Sequence, residues 1–348
     1  MRRLLFPLFW LLEFLLVAVG AALLALWFWS GSEGSLKSAL EQGAPYLPGG
    51  QQLQLQNVTG SLRDGGAIGQ LRWQSGALTV QARQVRFAWR PLALLQRQLH
   101  VTSLELAELS INDQRAPSAA EPLQELVLPI NLDIAFQLDR IRLTGANTVD
   151  VNDLAGVYRY DSDKHQLTMN RVQVADGHYQ GQLALQARRP MTLDVQLQGA
   201  VRAPIGDERQ VALDATATLR GPLAGTAPNL DLLAQLQPGA GNTGELAASR
   251  AMRATVSAQI NPFASQPVVR AQASFSQLNL AALWPSAPRT QLTGSASVQP
   301  IGVNWRADVN LINRAAGPWD KGQLPVDSLK ALVDLADGRW RIQSLNAE

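Results

Sequence analysis

The side chains able to do chemistry are few and poorly placed for it. His100, His165 and His178 are far apart in the chain and lack the spacing of a zinc site. Asp161-Ser162-Asp163 resembles the opening of a calcium loop, but the Gly and Glu that complete one do not follow. A turn is expected there, with His165 solvated in the same hairpin. "GAGNTG" (Gly239–Gly244) has the letters of a phosphate-cradling G-x-G-x-x-G. Such a loop needs a strand before it and a helix after it, whereas Pro238 precedes this one and more strand follows. Asn57-Val58-Thr59 is a sequon by letters only. No Ser lies in G-x-S-x-G, and no acid/base pair emerges. The absence of Cys excludes disulfides, thiol catalysis and iron–sulfur clusters. No catalytic residue, metal ligand or cofactor is expected, and an enzyme is the last of the readings.

Interest therefore shifts to the elements themselves. Apolar residues make up 46% of the 348 and charged residues only 17%, which fits a folded chain whose polar complement is Gln, Thr, Ser and Asn. Net charge is +2, and the Arg residues are scattered singly, so no basic stripe marks a nucleic-acid site. At the N-terminus, Arg2 and Arg3 precede an apolar run from Leu4 to Trp29, broken only by Glu13. That run exceeds the roughly 20 residues needed to span a bilayer. Trp10, Trp27 and Trp29 suit interfacial positions, and the Arg pair favours an N-in, C-out orientation. An uncleaved single-pass anchor over residues 1–30 is the leading reading. A cleaved signal peptide and a buried core helix are the alternatives. Either of the first two sends residues 31–348 across the membrane.

The body alternates. In "LHVTSLELAELSI" (99–111) the apolar residues step by two, three, two, three, two. At roughly 100° per residue these positions form no helical stripe. In a plain strand each step of three would change faces. Either bulges return each pair to one side, or three short strands are joined by tight bends. Both predict a strongly curved sheet, and an ordinary two-sided sandwich strand is the bland alternative. "RPLALLQRQ" (90–98) reads as one short helical turn, and Glu33 to Ala44 as a short helix. Turn signals at 49–50, 64–66, 160–166, 175–177, 238–244 and 337–338 separate the runs, giving roughly 18 to 20 strands. The stretch near 115–122 reads as a loop.

No helices are available to cover such a sheet, so it must close, pair or curl. The fold class is all-β on one N-terminal transmembrane helix, a long curled β-sheet forming an elongated apolar-lined groove (a β-taco). Taking the apolar parity as inward, the candidate lining is Leu78, Val80, Val85, Phe87, Leu132, Ile134 and Phe136 in the first half. In the second half it is Leu193, Val195, Leu213, Ala215, Leu232, Val256, Ala258, Ala271, Ala273, Phe275, Val298, Trp305, Val309 and Val333. The many small residues either leave room for an apolar ligand or permit close sheet packing.

The N-terminal anchor, "VTGSLRDGG" with Trp73 downstream, "VRFAWRPLALLQRQLHVTSLELAELSI" (85–111), "LNLAALWP" (278–285) and "NRAAGPWDKGQLPVDSL" (313–329) resemble the N-terminal part of the TamB family, within the AsmA-like group of bacterial envelope proteins. The resemblance implies an inner-membrane, single-pass protein whose body lies in the periplasm of a two-membrane bacterium. Family members are longer, so residues 31–348 are expected to be the first part of a larger periplasmic body. A C-terminal region absent here would meet a TamA-like, BamA-type barrel in the outer membrane. The implied function is phospholipid carriage along the groove between the membranes, linked to outer-membrane biogenesis. A periplasmic scaffold for outer-membrane β-barrel proteins and autotransporters, templating client strands on a sheet edge, is the alternative. A closed spacer that binds nothing is a third.

Overall fold

Seventeen strands of alternating sequence build one sheet, and wherever a register is defined the partners are neighbours in the chain. The computed structural model describes residues 24–115, 124–145, 148–174, 177–205, 209–225, 228–240, 242, 248–264, 266–284, 286–302, 304–336 and 339–348. Two compact units divide the chain, residues 1–116 with 130–157 and residues 117–129 with 158–348.

The first unit holds β1 (Gln51–Ser61), β2 (Gly65–Ser75), β3 (Leu78–Trp89), β4 (Gln98–Asp113), β5 (Asn131–Thr144) and most of β6 (Val149–Tyr160). The steps of three are bulges inside continuous strands. β4 is one strand of 16 residues, not three short ones. Leu78, Val80 and Ala82 likewise share β3 with Val85 and Phe87, which is one reason the described residues hold 17 strands and not 18 to 20. The slips fall in line. Asn57 (φ 56) and Gln84 (φ 51) take left-handed backbone conformations where their pairings skip a residue, and Asp153 (φ 54) does so on β6. Between the first two lies Gly69, where an added Cβ would come 2.8 Å from that of Asn57. Gly69, Gln84, Ala107, Asp139 and Asn152 line a single outer cleft. The sheet is creased there, and on its other side Ile68, Ala82, Val85, Leu106, Leu138 and Ile141 form a packed core. The helix Ser35–Gly43 adds Leu40 to that core. β4 and β5 run parallel with one register shift, between Val101 and Leu104, and beyond it Leu106–Leu138 and Leu109–Ile141 carry the slip together.

The crease yields a test. A non-glycine residue in the left-handed region costs about 1–2 kcal/mol, partly offset in Gly by unfolded-chain entropy. Gln84→Gly is expected to raise the urea midpoint, by roughly 0.5 kcal/mol of stability. Gln84→Val is expected to lower stability by about 1–2 kcal/mol. The reverse order, which an ordinary exposed strand site would give, would remove the crease from the account.

The second unit continues with β7 (Lys164–Val174), β8 (Gly177–Gln186), β9 (Thr192–Ile205), β10 (Arg209–Pro222), β11 (Leu230–Pro238), β12 (Arg253–Ile260), β13 (Val268–Leu278), β14 (Leu292–Ile301), β15 (Asn304–Asn313), β16 (Ser328–Ala336) and β17 (Arg339–Ala347). It is an antiparallel meander, so directly opposed residues share a face.

Candidate functional site

In-register pairing turns the period of two into rows that cross the strands. Leu183, Val195, Leu219, Leu232, Ala258, Ala271, Val298, Ala307 and Val333 stand opposite one another in turn from β8 to β16. Beside them run Gly181, Leu197, Ala217, Ala234, Val256, Ala273, Ala296, Val309 and Ala331. A third row runs from Tyr179 through Ala215, Leu236, Phe275 and Leu311 to Leu329. The central row is built mainly of Ala and Gly, a furrow crossing the strands. Eight strand spacings make it roughly 38 Å long.

Every residue named in these rows is half-buried; none reaches the burial of a closed core. Among the described residues of the unit, full burial is concentrated along the two rims, with Val172, opposite Tyr179, a further buried position. At one rim, Val211, Met252 and Ala282 pack with Leu213, Leu278 and Leu283. At the other lie Tyr160, Ala187, Met191, Ala224 and Leu230, each at most 5% exposed. The opposite face is polar, with Arg220 Nε donating to Asp194 Oδ1 at 3.1 Å and Arg306 Nε to Asp334 Oδ1 at 2.8 Å. The Arg306 guanidinium holds the Asp334 carboxyl below the usual carboxylate range. These pairs are solvated and contribute little to stability. The unit therefore carries one charged face and one uncharged, half-buried strip that no described element covers.

All second-half candidates, from Leu193 to Val333, fall on the uncharged face; Leu213 joins the rim cluster and Trp305 stands opposite Leu335. The first-half candidates divide. Val85 is a core residue at 7% exposure, with Phe87 and Phe136 packed against its cluster. Leu78, Val80, Leu132 and Ile134 are half-buried. Val80 is in register with Trp73 and Ile111, and Ile134 with Val101.

Residues 22–122 match the family model described as TamB, N-terminal domain. Over those residues the chain is similar to the N-terminal domain of the TamB family. No curated protein and no solved structure matches it. The TamB match takes in β1 to β4, including the 85–111 segment in which β3, a 3₁₀ turn at Pro91–Gln96 and β4 follow one another. The "LNLAALWP" and "NRAAGPWDKGQLPVDSL" segments lie outside the TamB match and form rim loops of the second unit. In the first, Asn279 accepts the Ala281 and Thr290 amides through Oδ1. In the second, Asn313 Oδ1 accepts from Gln291 and Ala315.

Of the residues singled out for possible chemistry, Asp161, Asn242, His100 and His165 make structural contacts. Asp161 Oδ1 accepts the Asp163 and Lys164 amides at 3.1 and 2.8 Å, which holds its carboxyl below the usual range. Asn242, inside "GAGNTG", pairs with both backbone groups of Ala212. His100 contacts Asp133 at 3.3 Å, and His178 lies exposed in β8. His165 departs from expectation. It is not solvated but 4% exposed at the start of β7, because residues 124–128 close over it. Its Nε2 lies 2.7 Å from the Leu126 carbonyl and its Nδ1 2.7 Å from Tyr158 Oη.

Of the anchor, Arg2, Arg3 and Trp10 lie outside the described residues. Residues 24–30 are helical, with Leu24, Leu26, Phe28, Trp27 and Trp29 exposed. No helix among the described residues is long and apolar enough to cross a membrane.

Proposed function

We propose that the chain is the first part of a TamB-type bridge, anchored in the inner membrane by residues 1–30 and extending into the periplasm, and that its second unit carries phospholipid. The acyl chains lie in the furrow while the headgroups stay in water. The observation that carries this reading is the half-burial of every residue in the three rows. A soluble sheet of this size normally covers such a face, and a strip this long exceeds the apolar patches that soluble proteins tolerate. Apolar contact is worth about 25 cal/mol per Å² and has no direction, so an acyl chain is held without being fixed in place. The exposed apolar residues at 24–29 support the anchor. A TamA-type outer-membrane barrel is the partner the family points to.

Photo-crosslinking in cells tests the proposal. A photoreactive residue is placed at Leu213, Val256 or Val309, and at the outward neighbours Asp214, Ser257 and Asp308. Phospholipid adducts are expected at the first set only. Protein adducts at either set would favour the scaffold. An inward set without adducts would end the conduit reading.

A further inference from the structure

The end of the first unit nearest the apolar helix carries a second apolar element. Residues 24–30 are fastened to the β1–β2 turn. The Arg63 amide donates to the Ser30 carbonyl at 2.9 Å, and Leu62 N donates to the buried Ser35 Oγ at 3.0 Å. The Arg63 guanidinium sits 5.2 Å from the Trp27 ring centroid. The last residue of β3 reaches the same turn, with Trp89 Nε1 donating to the Leu62 carbonyl at 2.9 Å. One residue later the chain leaves the sheet as the 3₁₀ turn Pro91–Gln96. That turn turns its leucines outward: Leu92 is 59% exposed, Leu94 43% and Leu95 84%. Exposed Arg90 and Arg97 flank it. A soluble loop has no reason to hold three leucines in water between two arginines. An anionic bilayer surface satisfies both, taking the leucines at the acyl boundary and the guanidinium groups at the phosphates.

We infer that the turn Pro91–Gln96 is a second membrane contact, seated on the same anionic bilayer that the helix at 24–30 enters. The inference rests on the anchored reading proposed above. Two contacts at one end of the unit fix its tilt against the membrane, which a single helix cannot do.

The chain has no Cys, so a single introduced thiol is the only labelling site. The full chain carrying Leu95→Cys, Trp27→Cys or Tyr46→Cys is labelled with an environment-sensitive fluorophore. Each is reconstituted in vesicles of phosphatidylethanolamine and phosphatidylglycerol containing acyl-chain-quencher lipid. Tyr46 is 89% exposed and is set off from the 62–64 turn, which Ser35 contacts, by the helix Ser35–Gly43 and the 3₁₀ turn Ala44–Tyr46, roughly 18 Å of helix length. Loss of most fluorescence at positions 95 and 27, with none at 46, is expected. With phosphatidylcholine replacing the anionic lipid, quenching at 95 should fall severalfold and that at 27 should persist. Quenching at 27 but not at 95 would overturn the second contact and leave the anchor standing. Quenching at neither would overturn both.

Discussion

Val256→Asp is expected to empty the groove while leaving the protein folded. Val256 lies in the central row, between Ala234 on β11 and Ala273 on β13, on the strip that neither rim covers. An ionised carboxylate there keeps its water as long as no lipid arrives. An acyl chain sliding past must strip that water, at a cost of several kcal/mol that no nearby cation offsets on this uncharged face. Each 1.4 kcal/mol is a factor of ten. Lipid adducts at a photoreactive Val309 should therefore fall at least about tenfold. The melting temperature should move by only a few degrees, because the side chain is half-buried to begin with. Ser257→Asp, one residue on and facing outward, should change neither. If the face were closed on itself, the same substitution would bury a charge and unfold the unit. The pair of measurements, adduct yield and melting temperature, thus separates an open groove from a packed interior.

The inward face of the second unit was legible because its cause is local. Period-two alternation sets each residue's face, and an antiparallel meander with short turns preserves that parity from strand to strand. Leu193 through Val333 could be read without knowing any contact. The crease was half legible. The steps of three in 99–111 demanded curvature, but whether each was a bulge or a break depended on Asn57, Gly69 and Gln84 lining up across strands, which is a tertiary fact. Val85 has the same alternation as Val256 and a different fate, because the helix Ser35–Gly43 and the crease enclose it. The parallel pairing of β4 with β5 left no local mark either. Nor did the exposure of Leu92, Leu94 and Leu95: "RPLALLQ" announces a turn but not which side of it meets solvent.

His165→Phe is expected to cost the second unit about 2–3 kcal/mol, through hydrogen bonds and not through volume. The ring stacks on Tyr160 with centroids 4.5 Å apart, and a phenyl ring can keep that contact. What it cannot keep are the two polar contacts. The Leu126 carbonyl accepts from Nε2, so in the neutral ring Nδ1 is the acceptor for the Tyr158 hydroxyl. Both partners would be left without the imidazole in a site where burial already raises the Tyr158 hydroxyl above its ordinary pKa. For a unit of this size, the melting temperature should drop by roughly 5–10 °C. Combining the change with Tyr158→Phe should recover part of the loss, since one orphaned hydroxyl is then gone. The local consequence is more telling. Residues 124–128 are held to this unit by Leu126 N on the Ala187 carbonyl at 2.8 Å, Leu128 N on Tyr160 Oη at 3.1 Å and the His165 contact. Amide exchange at Leu126 and Leu128 should quicken more than exchange across β12 to β14. The residues under that segment form one rim of the apolar strip, so loosening it widens the strip at that edge. Unchanged exchange at those two amides would mean that His165 fills space without latching the rim.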